Sequence, residues 1–282
     1  MNLNERESRE IADANASGKQ PIVFVHGLWL LASSWDRWRA HFTELGYTAV
    51  APGWPDDPAT VAEAREHPEV FANKSLTVIS DHYAAAIKGL TRKPVVIGHS
   101  FGGVLAQMLA GQGLAAATVS IDPAPFRGVL PLPFSSLKSA APVLANPANA
   151  KRAVALTWEQ FHYGWANALD EAEGKALYEE FHVAGSGLPL FQAAFANVNP
   201  WSEDKVDTKN PERGPLLFIS GQSDHTVPWA VVSAAYERQK RNTNPTEIVA
   251  MEGRGHSLVI DKGWKDVAQL AADFVQRYAP SK

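Results

Sequence analysis

Residues 93–106 read Lys-Pro-Val-Val-Ile-Gly-His-Ser-Phe-Gly-Gly-Val-Leu-Ala, and no other stretch constrains the fold as strongly. The β-branched run from Val95 to Ile97 predicts a buried parallel strand. It breaks at Gly98-His99-Ser100-Phe101-Gly102, and a helix-period stretch from Phe101 to about Ala110 follows at once. A strand that enters a helix through G-x-S-x-G has to turn sharply and carry its serine on the crest of the turn. Any side chain at position 98 or 102 would hold the helix away from the strand. The same turn aims the positive end of the helix at whatever bonds to the Ser100 hydroxyl, which suits a nucleophile.

The rest of the chain supplies the sheet that such a turn needs. Pro21 to Val25 predicts a buried strand running into a His26-Gly27 turn, and Trp35, Trp38, Phe42 and Leu45 predict a helix ending at Gly46. Further strands are expected at Tyr47–Ala51, Ala117–Ile121, Pro215–Gly221 and Thr246–Met251. Helices are expected at about Leu76–Leu90, Trp229–Arg241 and Trp264–Tyr278. Strands alternating with helices imply an α/β fold, a mostly parallel sheet of about six strands covered on both faces.

Two regions stand outside this rhythm. Residues 1–20 show no clear period and read as an N-terminal tail. Residues 124–213 show helical and loop patterns but no convincing strand, and are too long for a plain loop. The expected division is a core from 21–123 and 214–282, with 124–213 forming a helical cap between the fourth and fifth strands. Such a cap would cover the C-terminal edge of the strands, where open α/β sheets bind ligands.

Composition narrows the function classes. A 45% hydrophobic and 20% charged chain with net charge −4 has neither the basic footprint of a nucleic-acid binder nor the bias of a disordered one. There is no cysteine, and no H-E-x-x-H occurs, so no metal and no cofactor are expected. The first twenty residues lack the apolar core of a secretory signal, and no apolar run approaches the ~18 residues of a spanning helix. A cytoplasmic protein without a membrane or nucleic-acid partner is the expectation.

A serine hydroxyl needs a base to accept its proton, and the base works best when a carboxylate fixes its tautomer. Both should lie beyond later strands, in the chain order serine, acid, histidine. Gly221-Gln222-Ser223-Asp224 places Asp224 just past the fifth strand, and Gly255-His256 places His256 just past the sixth. Asp122 at the end of the fourth strand is the rival acid; a turn role is favoured for it. Backbone donors for a developing oxyanion are expected at Phe101, the residue after the serine, and at Leu28 in the loop after the first strand, with Trp29 as the runner-up. His26 is read as a group that bonds this loop's backbone, not as the base.

The set Val25-His26-Gly27-Leu28-Trp29, Gly98-His99-Ser100-Phe101-Gly102-Gly103, Gly221-Gln222-Ser223-Asp224 and Gly255-His256 resembles the α/β-hydrolase superfamily, and within it the capped esterase and lipase-like members. The resemblance spans roughly residues 21–279. It implies a Ser100-Asp224-His256 triad under a lid. Most members begin with an antiparallel hairpin that residues 1–20 do not suggest, so a sheet shortened to six strands is expected.

A serine hydrolase acting on carboxylic esters or lactones through an acyl-enzyme follows as the main expectation. Cofactor-independent perhydrolysis, hydrolysis of an activated C–C bond and a non-catalytic ligand-binding relative remain as alternatives. A dehalogenase would need a carboxylate where Ser100 stands. Trp29, Phe126, Leu132, Phe134 and Trp158 are the candidate substrate-binding residues. Phe126 to Phe134 is broken by prolines and leaves the catalytic edge directly after Asp122, so its side chains are expected to wall the pocket. With no cation expected there, small neutral apolar or aromatic substrates are favoured.

Overall fold

Four runs that are buried throughout form the middle of the sheet, and two that are partly exposed form its edges. The computed structural model describes residues 3–281. Its elements begin with α1 (Glu5–Ser17), β1 (Pro21–Val25), α2 (Asp36–Glu44), β2 (Thr48–Val50), α3 (Val61–Glu66), α4 (Leu76–Lys88), β3 (Val95–His99), α5 (Phe101–Gly111) and β4 (Ala117–Ile121). An inserted group follows: α6 (Phe134–Leu144), β5 (Ala153–Val154), α7 (Trp158–Gly164), α8 (Glu171–Phe181), β6 (Gly185–Ser186) and α9 (Leu188–Phe195). The chain returns with β7 (Leu216–Gly221), α10 (Trp229–Gln239), β8 (Thr246–Met251) and α11 (Trp264–Tyr278).

The six-stranded sheet has the order β2-β1-β3-β4-β7-β8 and every pairing in it is parallel. This is the α/β sheet of about six strands that the alternation predicts, with the helical insertion between its fourth and fifth strands. The chain runs outward from β1 to β2 and then crosses back to β3. The connections therefore diverge between β1 and β3, which opens a crevice at that point. Register brings the loops together. Val25 pairs with Gly98, His99 with Ile121, Ile121 with Ile219, and Gly221 with Met251. The segments carrying residues 28, 100, 122, 224 and 256 thus leave one edge of the sheet side by side.

The expected N-terminal tail is a correction. Residues 5–17 form a helix, begun by an Asn4 capping box with Glu7 and closed by Gly18 in the left-handed region. Its apolar side is only Ile11 and Ala14, too narrow to show as a period, and both are buried in the main core. Polar anchors complete the attachment. Glu7 is fully buried and accepts from the Gly53 amide at 3.0 Å and from His82 Nε2 at 3.1 Å. Arg6 donates to the Ala51 carbonyl, and the Ala51 amide donates to Glu10, each at 3.0 Å. The helix covers the chain as it leaves the edge strand β2, a place where open sheets otherwise invite a second chain.

The insertion also holds a short antiparallel pair, β5 with β6, two residues each. Strands so short leave no alternation to read. Among the described residues no helix is long and apolar enough to cross a membrane.

Candidate active site

Ser100 sits between β3 and α5 with φ 57° and ψ −123°, a backbone conformation that L-residues avoid. The turn is held from several sides. The Ser100 amide donates to the Ile121 carbonyl at 2.9 Å, and the Ser100 carbonyl accepts from Gly103 at 2.9 Å and Ala124 at 3.0 Å. A Cβ on Gly98 would overlap the Gly102 carbonyl, and one on Gly102 would overlap the Val25 carbonyl. Those two contacts are the steric reason for both glycines. Trp29 (φ 65°) and Asp122 (φ 38°) share the strained left-handed region, so three of the five such non-glycine residues among those described lie at the ends of adjacent strands here.

The loops bring Ser100, His256 and Asp224 into one line. Ser100 Oγ lies 3.0 Å from His256 Nε2, and His256 Nδ1 lies 2.6 Å from Asp224 Oδ2. A carboxylate only accepts, so Nδ1 carries the proton and Nε2 is left to accept from the serine. Asp224 is oriented by the Thr226 and Val227 amides, which donate to Oδ1 at 2.6 and 2.9 Å. All three residues are buried.

His256 is also fixed by groups that sequence reasoning did not assign. His99 Nε2 donates to the His256 carbonyl at 2.9 Å, and its ring lies 4.7 Å from the His256 ring. Burial, reinforced by His256, holds the His99 pKa well below the usual imidazole range, so His99 is a neutral strut. Trp165 of the insertion meets His256 edge-on at 4.6 Å. The helical spacing of Trp165 announces burial but says nothing of which ring it touches.

Asp122 lies in the same cluster. Its Oδ1 accepts from the Gly221 amide at 2.9 Å, while Oδ2 has no hydrogen-bond partner among the described residues. Burial, then the charge of Asp224, push its carboxyl well above the usual range, which favours its protonated form. The ligand atoms of His99, Asp122 and His256 lie within 4.8 Å of one another. Both His256 nitrogens and the His99 Nε2 are already engaged, which leaves one oxygen and one nitrogen, too few donors to build a metal centre.

On the opposite side, the loop after β1 is braced by His26. Its Nδ1 donates to the Gly27 carbonyl at 2.9 Å, Nε2 faces Asp57 at 3.0 Å, and its ring stacks on Trp54 at 5.4 Å. Leu28 and Trp29 follow, both buried. Trp29 spans to the insertion through Nε1, which donates to the Val154 carbonyl at 2.9 Å.

Ser100 opens onto a cavity of about 200 Å³ lined by Trp29, Phe101, Phe126, Val129, Leu132 and Leu190 among others. Its polar side chains are Ser100, Ser136, Ser139, Asn197 and Thr226, and none of the lining residues is charged. Trp29, Phe126 and Leu132 therefore stand where a pocket wall is expected. Phe134 and Trp158 do not. Phe134 is the first residue of α6 and projects outward, 79% exposed. Trp158 packs inside the insertion between His162 and Tyr178, at 5.1 and 6.0 Å, with Lys175 over its ring.

The insertion is stitched to the loop that carries Asp224. Asn167 Nδ2 donates to the Ser223 carbonyl at 2.8 Å, Thr226 Oγ1 to the Gly164 carbonyl at 2.7 Å, and His225 Nδ1 to the Tyr163 carbonyl at 3.0 Å.

Comparison with known proteins gives a concordant result. A family model described as the alpha/beta hydrolase family matches residues 22–270. No curated sequence relative matches the chain. Solved structures that resemble it include a monoacylglycerol lipase from Paleococcus ferrophilus, 17% identical with TM-score 0.64, over 92% of this chain and 95% of the lipase. A pyrethroid hydrolase from Sphingobium faniae is 18% identical with TM-score 0.63, over 93% of this chain and 98% of that one. An extracellular alpha/beta-hydrolase from a Paenibacillus species is 18% identical with TM-score 0.61, over 90% and 98%. At such identities the likeness is one of fold.

Proposed function

This chain belongs to the alpha/beta hydrolase family, and from that premise we propose that it is a serine hydrolase of small neutral esters or lactones. One observation carries the reading: the Ser100–His256–Asp224 line, at 3.0 and 2.6 Å, opens onto an apolar cavity. Ser100 is the nucleophile. As Oγ attacks the substrate carbonyl carbon, its proton passes to His256 Nε2, and Asp224 stabilises the imidazolium that forms. The carbonyl oxygen becomes an oxyanion held by the Phe101 and Leu28 amides. Phe101 is the first residue of α5, where an amide has no intrahelical partner. Leu28 is preferred over Trp29 because it directly follows Gly27, which packs against Ser100 and the Phe101 nitrogen, while the Trp29 nitrogen lies close to Gly185 of the insertion. Collapse of the intermediate expels the alcohol, which takes the proton from His256. Water then enters, gives a proton to His256 and releases the acid from Ser100, restoring the hydroxyl.

In this reading residues 124–213 are a cap over a core of 21–123 and 214–282. The cap walls supply selectivity. Their cavity is smaller than the ~300–1,000 Å³ common for drug-sized ligands and has no counter-charge. Burying an unpaired carboxylate there is costly. Neutral aryl or short alkyl esters should therefore exceed matched esters bearing a free carboxylate by at least about tenfold in kcat/KM. Equal turnover of the charged series would overturn the assignment of the pocket. A serine-directed phosphonate should label Ser100 in the same preparation; a protein that binds such esters without labelling or turnover is a receptor.

Only a neutral His256 can accept the serine proton. Turnover should fall on acidification and recover fully on return to neutral pH. A kcat/KM that does not fall on acidification, with the enzyme folded throughout, would contradict the assigned base.

A further inference from the structure

Two stretches border the cavity mouth, residues 128–144 and 188–201, and their composition departs from that of the remaining surface. The first contains one charged residue, Lys138, and the second contains none. Both contribute to the cavity wall, through Leu132 and Leu137 on one side and Leu190 and Asn197 on the other. Both also face outward. Among the described residues nine large apolar side chains are exposed, and seven of them belong to these stretches. Leu130, Leu132, Phe134 and Leu137 come from the first. Phe195, Val198 and Trp201 come from the second, with Trp201 83% exposed. Singly exposed apolar residues are ordinary, but seven gathered in two stretches that line one cavity are not.

We infer that this rim docks the protein on an anionic lipid surface, with the cavity mouth facing the lipid. Three observations favour a lipid surface over a protein partner. Leu130, Leu132 and Leu137 of the rim also line the cavity that leads to Ser100, so a rigid partner seated on it would obstruct that route. A fluid surface can wet the whole rim and still pass molecules through. Second, basic groups stand at its margin. Arg127 Nη1 donates to the Pro200 carbonyl at 3.0 Å, Arg238 Nη1 to the Gly128 carbonyl at 3.2 Å, and Lys138 Nζ lies 4.0 Å from the Tyr163 ring. The nearby acid Glu203 is turned to the Thr77 amide at 2.9 Å. Third, the projecting types are Trp, Phe and Leu, which suit the boundary of headgroup and acyl chain. Pro131 and Pro133 also spare that loop two N–H groups that lipid would leave unpartnered.

Such docking departs from the expectation of no membrane partner, of which the structure bears only on spanning helices. This face is assembled from two separate stretches and would lie on a membrane, not cross it. Its test involves no turnover, so it stands or falls separately from the hydrolase reading. The full chain is mixed with vesicles of equimolar phosphatidylcholine and phosphatidylglycerol, or of phosphatidylcholine alone, and floated on a density gradient. The wild type should float with the anionic vesicles and markedly less with the zwitterionic ones. A Phe134→Ser, Phe195→Ser, Trp201→Ser variant should lose about tenfold or more of this partitioning, with unchanged circular dichroism. If the triple variant fails to fold, Lys138→Glu should lower flotation with the anionic vesicles. Absence of flotation, equal flotation with both vesicle types, or equal flotation of a folded triple variant would overturn the inference. So would a wild-type dimer in sedimentation that the triple variant converts to monomer, which would assign the rim to a second copy of the chain.

Discussion

Replacement of Ser100 by alanine should remove at least about four orders of magnitude of ester turnover while leaving the fold intact. The hydroxyl is the only atom of the elbow in a position to form the acyl bond. Its loss opens no core void, because Ser100 already faces the cavity. The single hydrogen bond given up, to His256 at 3.0 Å, is worth about 1 kcal/mol of stability. His256→Ala should be as severe, and the double variant hardly worse than either, since a nucleophile without its base and a base without its nucleophile fail at the same step. Measurement of kcat for the three variants, with thermal unfolding as the control, decides the matter. Retention of a tenth of the wild-type kcat by the serine variant would rule out the acyl-enzyme route.

The two buried aspartates should respond to amidation in opposite ways. In Asp224→Asn, the Thr226 and Val227 amides keep the side-chain oxygen, so the new NH₂ points at His256 Nδ1. The ring must then accept at Nδ1 and carry its proton on Nε2, the tautomer that cannot take the proton of Ser100. A loss of up to about 10⁴ in kcat is expected. Asp122→Asn should cost little activity, because asparagine imitates the protonated acid and its oxygen can still accept from Gly221. Stability gives an independent readout. Burial raises the Asp122 carboxyl in the folded chain above its unfolded value, so the folded chain holds that proton to higher pH. The stability from that proton is complete in acid, below the unfolded carboxyl value of about 3.9, and is lost as pH rises through the folded value. The Asp122→Asn variant escapes this loss. It should equal or exceed the wild type in Tm at neutral pH, with the gap narrowing in acid. A crippled Asp122→Asn beside an active Asp224→Asn would move the acid to β4.

How much of this was legible in the sequence depends on how local each signal is. The strands, the elbow and the edge that gathers Ser100, Asp224 and His256 follow from continuous apolar runs and glycine turns, which act over a few residues. The insertion was legible as a length, since ninety residues without a readable strand cannot be one loop. Helix α1 was not legible, because Glu7 and Arg6 attach it through partners far along the chain. The capping pattern Asn4-x-x-Glu7 and the closing Gly18 were its local signs. Phe134 and Trp158 were misplaced for a related reason. Aromatic richness marks burial or a surface, and only the packing of α6 and α7 tells a wall from a rim or a core. The neutral Asp122 beside Asp224 was visible as two strand-end acids, but not as neighbours.

The hydrogen bonds joining residues 163–167 to residues 223–226 bear on how such a protein can diverge. These segments are remote in the chain, yet the orientation of the acid depends on both. A cap borrowed from a relative would arrive without the Tyr163 and Gly164 carbonyls in place, stranding the donors of His225 and Thr226 next to Asp224. Such a chimera would keep its serine and its histidine and lose the aim of its carboxylate. On the proposed reading selectivity and reactivity are inherited together: the insertion that would choose the substrate also braces the loop that holds Asp224, and neither can be exchanged as an independent module.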